Sequence, residues 1–257
     1  MFDYRSRAGA ALRLIGIKKA TTFNGFCGYH DKTVFQAIED SDSKTFSERQ
    51  SFLFAYRAFA REFAAKMLNL SVTRGIHETN PLPQLAVRNN ILGERDAYTN
   101  KGIFERALLT KDHGAFVFRQ RLIRGWHPLA LSGLCSVDRD LSGNLLYNTY
   151  VMTERVPLLT ITSLPSKEGL IVIVSHFARD ARVYQQLIEE VFAMADDPFL
   201  QVLSYWTLTF AENWAIAPSL ERSWSPAKRH EIERWFHDTI GSSKPYLEFV
   251  ARIGSFL

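Results

Sequence analysis

At Gly114 the apolar spacing of the chain changes, and that change constrains the fold more than any other feature of the sequence. Before it, Phe52, Tyr56, Phe59, Phe63 and Met67 recur at steps of three and four, the period of one helix face. After it, segments 115–123, 129–137, 145–152, 158–163 and 170–176 are short, rich in Val, Ile, Leu, Thr and Tyr, and separated by turn residues. Beyond His176 the helical period returns and runs to the end. Strands that follow one another without an intervening helix pair antiparallel. The order predicts an α+β fold: N-terminal helices, a central antiparallel sheet of about five strands, and a C-terminal helical bundle packed on it. The period change divides the chain into 1–113 and 114–257, which also fit one continuous domain.

Local signals refine this frame. Residues 32–39 read as a short helix, and Ser47 with Gln50 forms a capping box ahead of the aromatic stripe, whose other side carries Arg49, Arg57, Arg61, Glu62 and Lys66. Residues 71–83, with Gly75, Pro81 and Pro83, read as a loop, and a weaker helix follows over 85–109. Residues 140–144 and 165–169 are the clearest hairpin connections. Helices are expected over 180–194, over 198–214 after an Asp197 cap, from Ser225-Pro226 to Gly241, and over 245–253. The 198–214 helix is apolar nearly all round and should be central, with Trp206, Phe210, Trp214, Trp235 and Phe236 inside the core.

A chain of 257 residues buries roughly 70 to 75% of its unfolded surface, so the core needs no disulfide or metal. Cys27 and Cys135 are expected as reduced thiols. No stretch approaches the ~20 apolar residues of a membrane helix, and Arg13 interrupts the only early apolar run. The expectation is a cytoplasmic protein with no membrane partner.

The net charge of +4 permits a polyanionic partner without demanding one. Arg5, Arg7, Arg13, Lys18 and Lys19 face a single early acid, Asp3. A strand over 115–123 places Arg119 and Arg121 on one face. The candidate contacts to DNA or RNA are therefore Arg5, Arg7, Lys18, Lys19, Arg119 and Arg121; a solvated strand face is the simpler account of the last two.

Two constellations carry possible chemistry. Cys27-x-x-His30 places a thiol and an imidazole at a helix start, the spacing of one zinc knuckle. Zinc takes four ligands, so a complete site needs scattered groups such as His77 or His113, or another chain. The alternative is Cys27 as a small hydrophobe and His30 as a helix-start residue. His176 ends a strand, and Glu212 with Asn213 could join it as an acid, an amide and an imidazole for acid–base work; a structural histidine is the simpler account. Asp138-x-Asp140-x-Ser142-Gly143 opens like a calcium loop, but its twelfth position is Thr149, and a Ser-Gly-Asn turn explains it better. The common phosphate-loop, serine-hydrolase and zinc-protease motifs are absent.

The passage Phe23-Asn-Gly-Phe-Cys-Gly-Tyr-His-Asp-Lys-Thr-Val-Phe-Gln-Ala-Ile-Glu39 resembles the Phe-x-Gly-Phe-Cys-x-x-His-Asp-x-x-x-Phe-x-x-Ile-Glu signature of a functionally uncharacterised bacterial family. That family's arrangement is similar to a treble-clef, HNH-nuclease type of zinc finger. The 133–144 hairpin, and Glu212-Asn-Trp214 followed by Pro218, resemble its later portions. Residues 1–26 hold neither Cys nor His, so the first knuckle and the upstream histidine of the pattern have no counterpart here. The resemblance implies a protein acting on or near nucleic acid, with Cys27 and His30 as metal ligands, zinc as cofactor and anti-phage defence as its setting. Two other classes stay open: a non-catalytic module binding a protein partner or a second copy of itself, and a hydrolase using His176 and Glu212.

Overall fold

A computed structural model describes residues 12–16, 25–41, 45–79, 84–148, 155–239 and 243–257, the side chains of 76–79 and 84–86 excepted. Three helices come first: α1 (Gly28–Glu39), α2 (Glu48–Thr79) and α3 (Gln84–Thr110). Strands β1 (Phe116–Arg124), β2 (Leu129–Cys135), β3 (Leu159–Pro165) and β4 (Gly169–Phe177) follow. A 3-10 turn, Ala178–Asp180, leads into α4 (Ala181–Ala193) and α5 (Asp196–Phe210). The chain closes with β5 (Trp214–Ile216), α6 (Pro218–Ser223), α7 (Pro226–Asp238) and α8 (Tyr246–Arg252). The fold is α+β, with helices before and after a five-stranded antiparallel sheet in the order β1-β4-β3-β2-β5. Among the described residues no helix is long and apolar enough to cross a membrane.

The sheet carries a core on each face because its inner strands are apolar on both sides. β4 is buried along its whole length. Leu170, Val172 and Val174 face the C-terminal helices with Ile123, Leu159 and Ile161, beneath Trp206, Trp214, Trp235 and Phe236. Ile171, Ile173 and Phe177 face the N-terminal helices, where Phe52, Phe59, Phe104 and Phe116 close over them. The Phe59 and Phe104 rings stack at 4.5 Å. Of the five aromatics expected inside, four are buried, and Phe210 is half-buried against the same core.

Local chemistry sets the boundaries. The Ser47 backbone N–H donates to Gln50 Oε1 at 3.0 Å, and Gln50 N–H returns a bond to Ser47 Oγ, so the capping box forms. Ser225 accepts from Lys228 N–H and starts α7. At the β3–β4 hairpin Gly169 has φ +153, and a Cβ there would lie 2.0 Å from the Ile123 carbonyl oxygen, so only glycine fits.

Three segments differ from expectation. Residues 71–79 are helical: α2 runs through Gly75 and ends at Thr79, just short of Pro81. The strand expected over 145–152 is replaced by a single bridge between Arg139 and Leu145; residues 149–152 lie outside the described ones. Asp140 there accepts from Asn144 N–H and Nδ2–H, which closes a tight turn with Gly143 at φ +90. Trp214–Ile216 becomes the fifth strand, since Ala211 turns extended and ends α5 earlier than its apolar run suggests.

Candidate functional site

A cleft of about 640 Å³ opens between α2 and α3 at one end of the sheet. Glu62, Lys66 and Asn69 line it from α2; Asn89, Asp96 and Asn100 line it from α3. Glu62 and Lys66 are four residues apart, and so are Asp96 and Asn100, so each pair lies on one helix face. Ser136 and Leu134 come from the end of β2, and Glu212 from the turn between α5 and β5. Gly93 makes room on α3: a Cβ there would lie 2.6 Å from Lys66 Nζ.

Burial and charge set the protonation of these groups. Burial pushes the Glu62 carboxyl above the usual carboxylate range, and the negative charge of Glu212 pushes the same way; Arg61, paired with Glu62, opposes both. Burial lowers the Lys66 ammonium, against the pull of Asp96. Asp96 is held in place, its Oδ1 accepting from Arg95 and its Oδ2 from the Val156 backbone N–H at 3.1 Å. Asn100 is buried and accepts from Arg179 at 3.4 Å. A buried Cys135 thiol, raised first by burial and then by Glu62 and Glu212, is a structural group and not a nucleophile.

The sequence-derived candidates divide. Glu212 lines this cleft. Asn213 beside it is buried and used structurally, its Nδ2 donating to the Ser132 carbonyl at 3.0 Å while its own carbonyl accepts from Ser132 N–H. His176 is not brought to Glu212. It is buried in the register of β4 that faces the C-terminal helices, its Nδ1–H donating to the Phe177 carbonyl at 2.8 Å and its ring 6.2 Å from Tyr184. Burial lowers its pKa, which the Phe177 carbonyl and Asp180 partly offset.

Cys27 and His30 do meet, Sγ lying 3.1 Å from Nδ1 on the exposed start of α1. They supply two donors. Among the described residues no group of three His, Cys, Asp or Glu could hold a metal ion. His113 lies instead on the Phe52 ring at 4.6 Å, and the His77 side chain is outside the described set.

Arg5, Arg7, Lys18 and Lys19 also fall outside the described residues. Arg119 and Arg121 share a face, as expected from strand alternation, but their surroundings differ. Arg119 is exposed, whereas Arg121 donates to the Met194 carbonyl and Asp196, both at 2.6 Å, and lies over Phe199. Arg121 thus fastens the α4–α5 junction.

No family model matches this sequence, and no curated protein or solved structure is detectably similar to it. The functional reading rests on the site itself. Sequence reasoning missed Glu62, Lys66, Asp96 and Asn100, since charged residues on a helix normally mark its solvated side. The available signal was the pairing of Glu62 with Lys66 on a helix already apolar around most of its first turns.

Proposed function

We propose that the α2–α3 cleft is the acid–base site of a hydrolase that takes an uncharged, polar small molecule. The observation that carries this reading is the Glu62 carboxyl, held above its ordinary range by burial and by Glu212 on the wall of the cavity. A carboxyl that holds its proton to a higher pH than an ordinary glutamate can deliver it to a leaving group, and the exposed Glu212 carboxylate can activate water. With Glu62 protonated, Asp96 and Glu212 still outnumber Lys66 on the cavity wall, a balance that disfavours phosphate and other anions. Asn69, Asn89, Asn100 and Ser136 offer donors and acceptors to hydroxyl and amide groups.

The test is hydrolysis of uncharged chromogenic glycosides, esters and amides across pH. At least one class should be cleaved with a bell-shaped pH profile, and Glu62→Gln should slow it by about 10²-fold or more. No turnover of any class, or turnover unchanged in both Glu62→Gln and Glu212→Gln, overturns the proposal.

A second reading, nucleic-acid association through a zinc-knuckle-like segment, is favoured by the 3.1 Å approach of Cys27 and His30. The described residues do not complete its ligand set. Any basic contact surface must lie away from the acidic cleft.

A further inference from the structure

A second cavity, of about 480 Å³, lies between α3 and the end of β4, where Arg106 and Arg179 line it together. Its other walls include Gly102, Ile103, Ala107 and Phe177, with Thr99 and Thr110 as polar neighbours. The small side chains of Gly102, Ala115 and Ala178 leave room beside the two guanidinium groups. Among the described residues Arg106 has no ion pair or side-chain hydrogen bond. Arg179 makes, among the described residues, only the long bond to Asn100, and its guanidinium lies over Phe177 at 5.2 Å. Arg155 lies over the same ring at 5.1 Å, but its charge is matched by its ion pair with Asp180. Arg179 therefore sits beside a like charge, and burial with Arg155 lowers its pKa against the pull of Asp180 and Asp96. Asp112 is the one carboxylate on the wall, and it is engaged by the Gly114 backbone N–H at 2.9 Å.

We infer that this groove binds a phosphate group, held by Arg106 and Arg179, with the ligand's apolar part against Ile103 and Ala107. Guanidinium groups suit phosphate because they present paired donors with a fixed charge. A nucleotide and a nucleic-acid backbone offer the same group, and the groove is separate from the acidic cleft, whose charge disfavours it.

The test is calorimetric titration of inorganic phosphate, adenosine monophosphate and a short single-stranded oligonucleotide into the wild-type chain. Arg106→Gln, at an exposed and unpartnered position, should keep its melting temperature and weaken binding about tenfold or more. Gly102 lines the groove and has nothing within 4 Å of its Cβ position, so a side chain can start there without a clash, and Gly102→Leu should narrow the groove and weaken nucleotide binding. Glu62→Gln should leave all binding unchanged. Nucleotide binding that depends on Arg106 identifies a small phosphorylated ligand; tighter, Arg106-dependent oligonucleotide binding identifies the polymer. Absence of binding by every probe, or binding indifferent to Arg106→Gln, overturns the inference.

Discussion

Trp206 and Trp235 offer a paired test of how this core is held. Both are buried, at 2% and 0% exposure, in the core on the C-terminal face of the sheet. They differ at one atom. Trp235 Nε1–H donates to Thr209 Oγ1 at 3.0 Å, whereas Trp206 Nε1 has no hydrogen-bond partner among the described residues. Replacing either indole with phenyl removes ~40 Å³, which corresponds to about 1 kcal/mol at the usual cavity coefficient. For Trp235→Phe the lost hydrogen bond adds about 1 kcal/mol, giving a destabilisation of about 2. For Trp206→Phe the same cavity is offset by relief of an unpaired buried N–H, whose burial costs about 1–3 kcal/mol. The net effect runs from neutral to about 2 kcal/mol stabilising, so the two variants should differ by about 2–4 kcal/mol.

Urea unfolding followed by tryptophan fluorescence measures the difference as a shift in midpoint at constant slope. Trp206→Ala is the control, expected to cost about 3–5 kcal/mol because most of the ring volume is lost. Equal destabilisation by Trp206→Phe and Trp235→Phe would refute the reasoning, since the Trp206 N–H would then have to be satisfied.

Three further expectations follow from the same geometry. His176 has a folded-state pKa below the ordinary ~6.5, so the unfolded chain takes up its proton first and stability should fall as pH drops below that value. His176→Asn keeps a donor for the Phe177 carbonyl and should flatten that acid limb in pH-dependent melting curves. Glu62 has the opposite sign: burial raises its folded pKa above that of an ordinary glutamate, so stability should decline as pH rises from the ordinary value through the folded one, and Glu62→Gln should reduce the decline. Protein purified without chelator should carry near-stoichiometric zinc, lost in Cys27→Ser, if the Cys27–His30 pair is a working knuckle; elemental analysis showing no metal counts against it.

The fold was legible where one period dominated a segment, and obscured where tertiary context overrode it. The capping box at Ser47, the Ser225 cap and the 165–169 hairpin each placed a boundary because a named side chain or glycine enforces it locally. Gly75 was misleading: a single glycine lowers helix propensity by about 1 kcal/mol, too little to end a helix of 32 residues. Likewise 145–148 carries strand-forming residues, yet the Asp140–Asn144 turn turns them back on a single bridge. Strand propensity records fit to a pleated surface, and a pleated surface needs a neighbour.

The candidate site was harder to read because its groups are far apart in sequence and belong to faces that look solvated. Glu212 was expected as an acid that could join His176, but the group whose pKa it raises is Glu62, 150 positions earlier. The sheet separates those two possibilities by strand alternation. His176 shares its register with Val172 and Val174, toward the C-terminal helices, while Glu212 lines the cavity that α2 and α3 close. A linear sequence assigns His176 to a strand end but does not fix which side of the sheet receives it. Once β4 is set, changing that side would require a one-residue slip that exposes the other buried β4 residues to the wrong core. The position of His176 is therefore fixed by the packing of its apolar neighbours, and the acidic cleft obtains its perturbed carboxyl from α2.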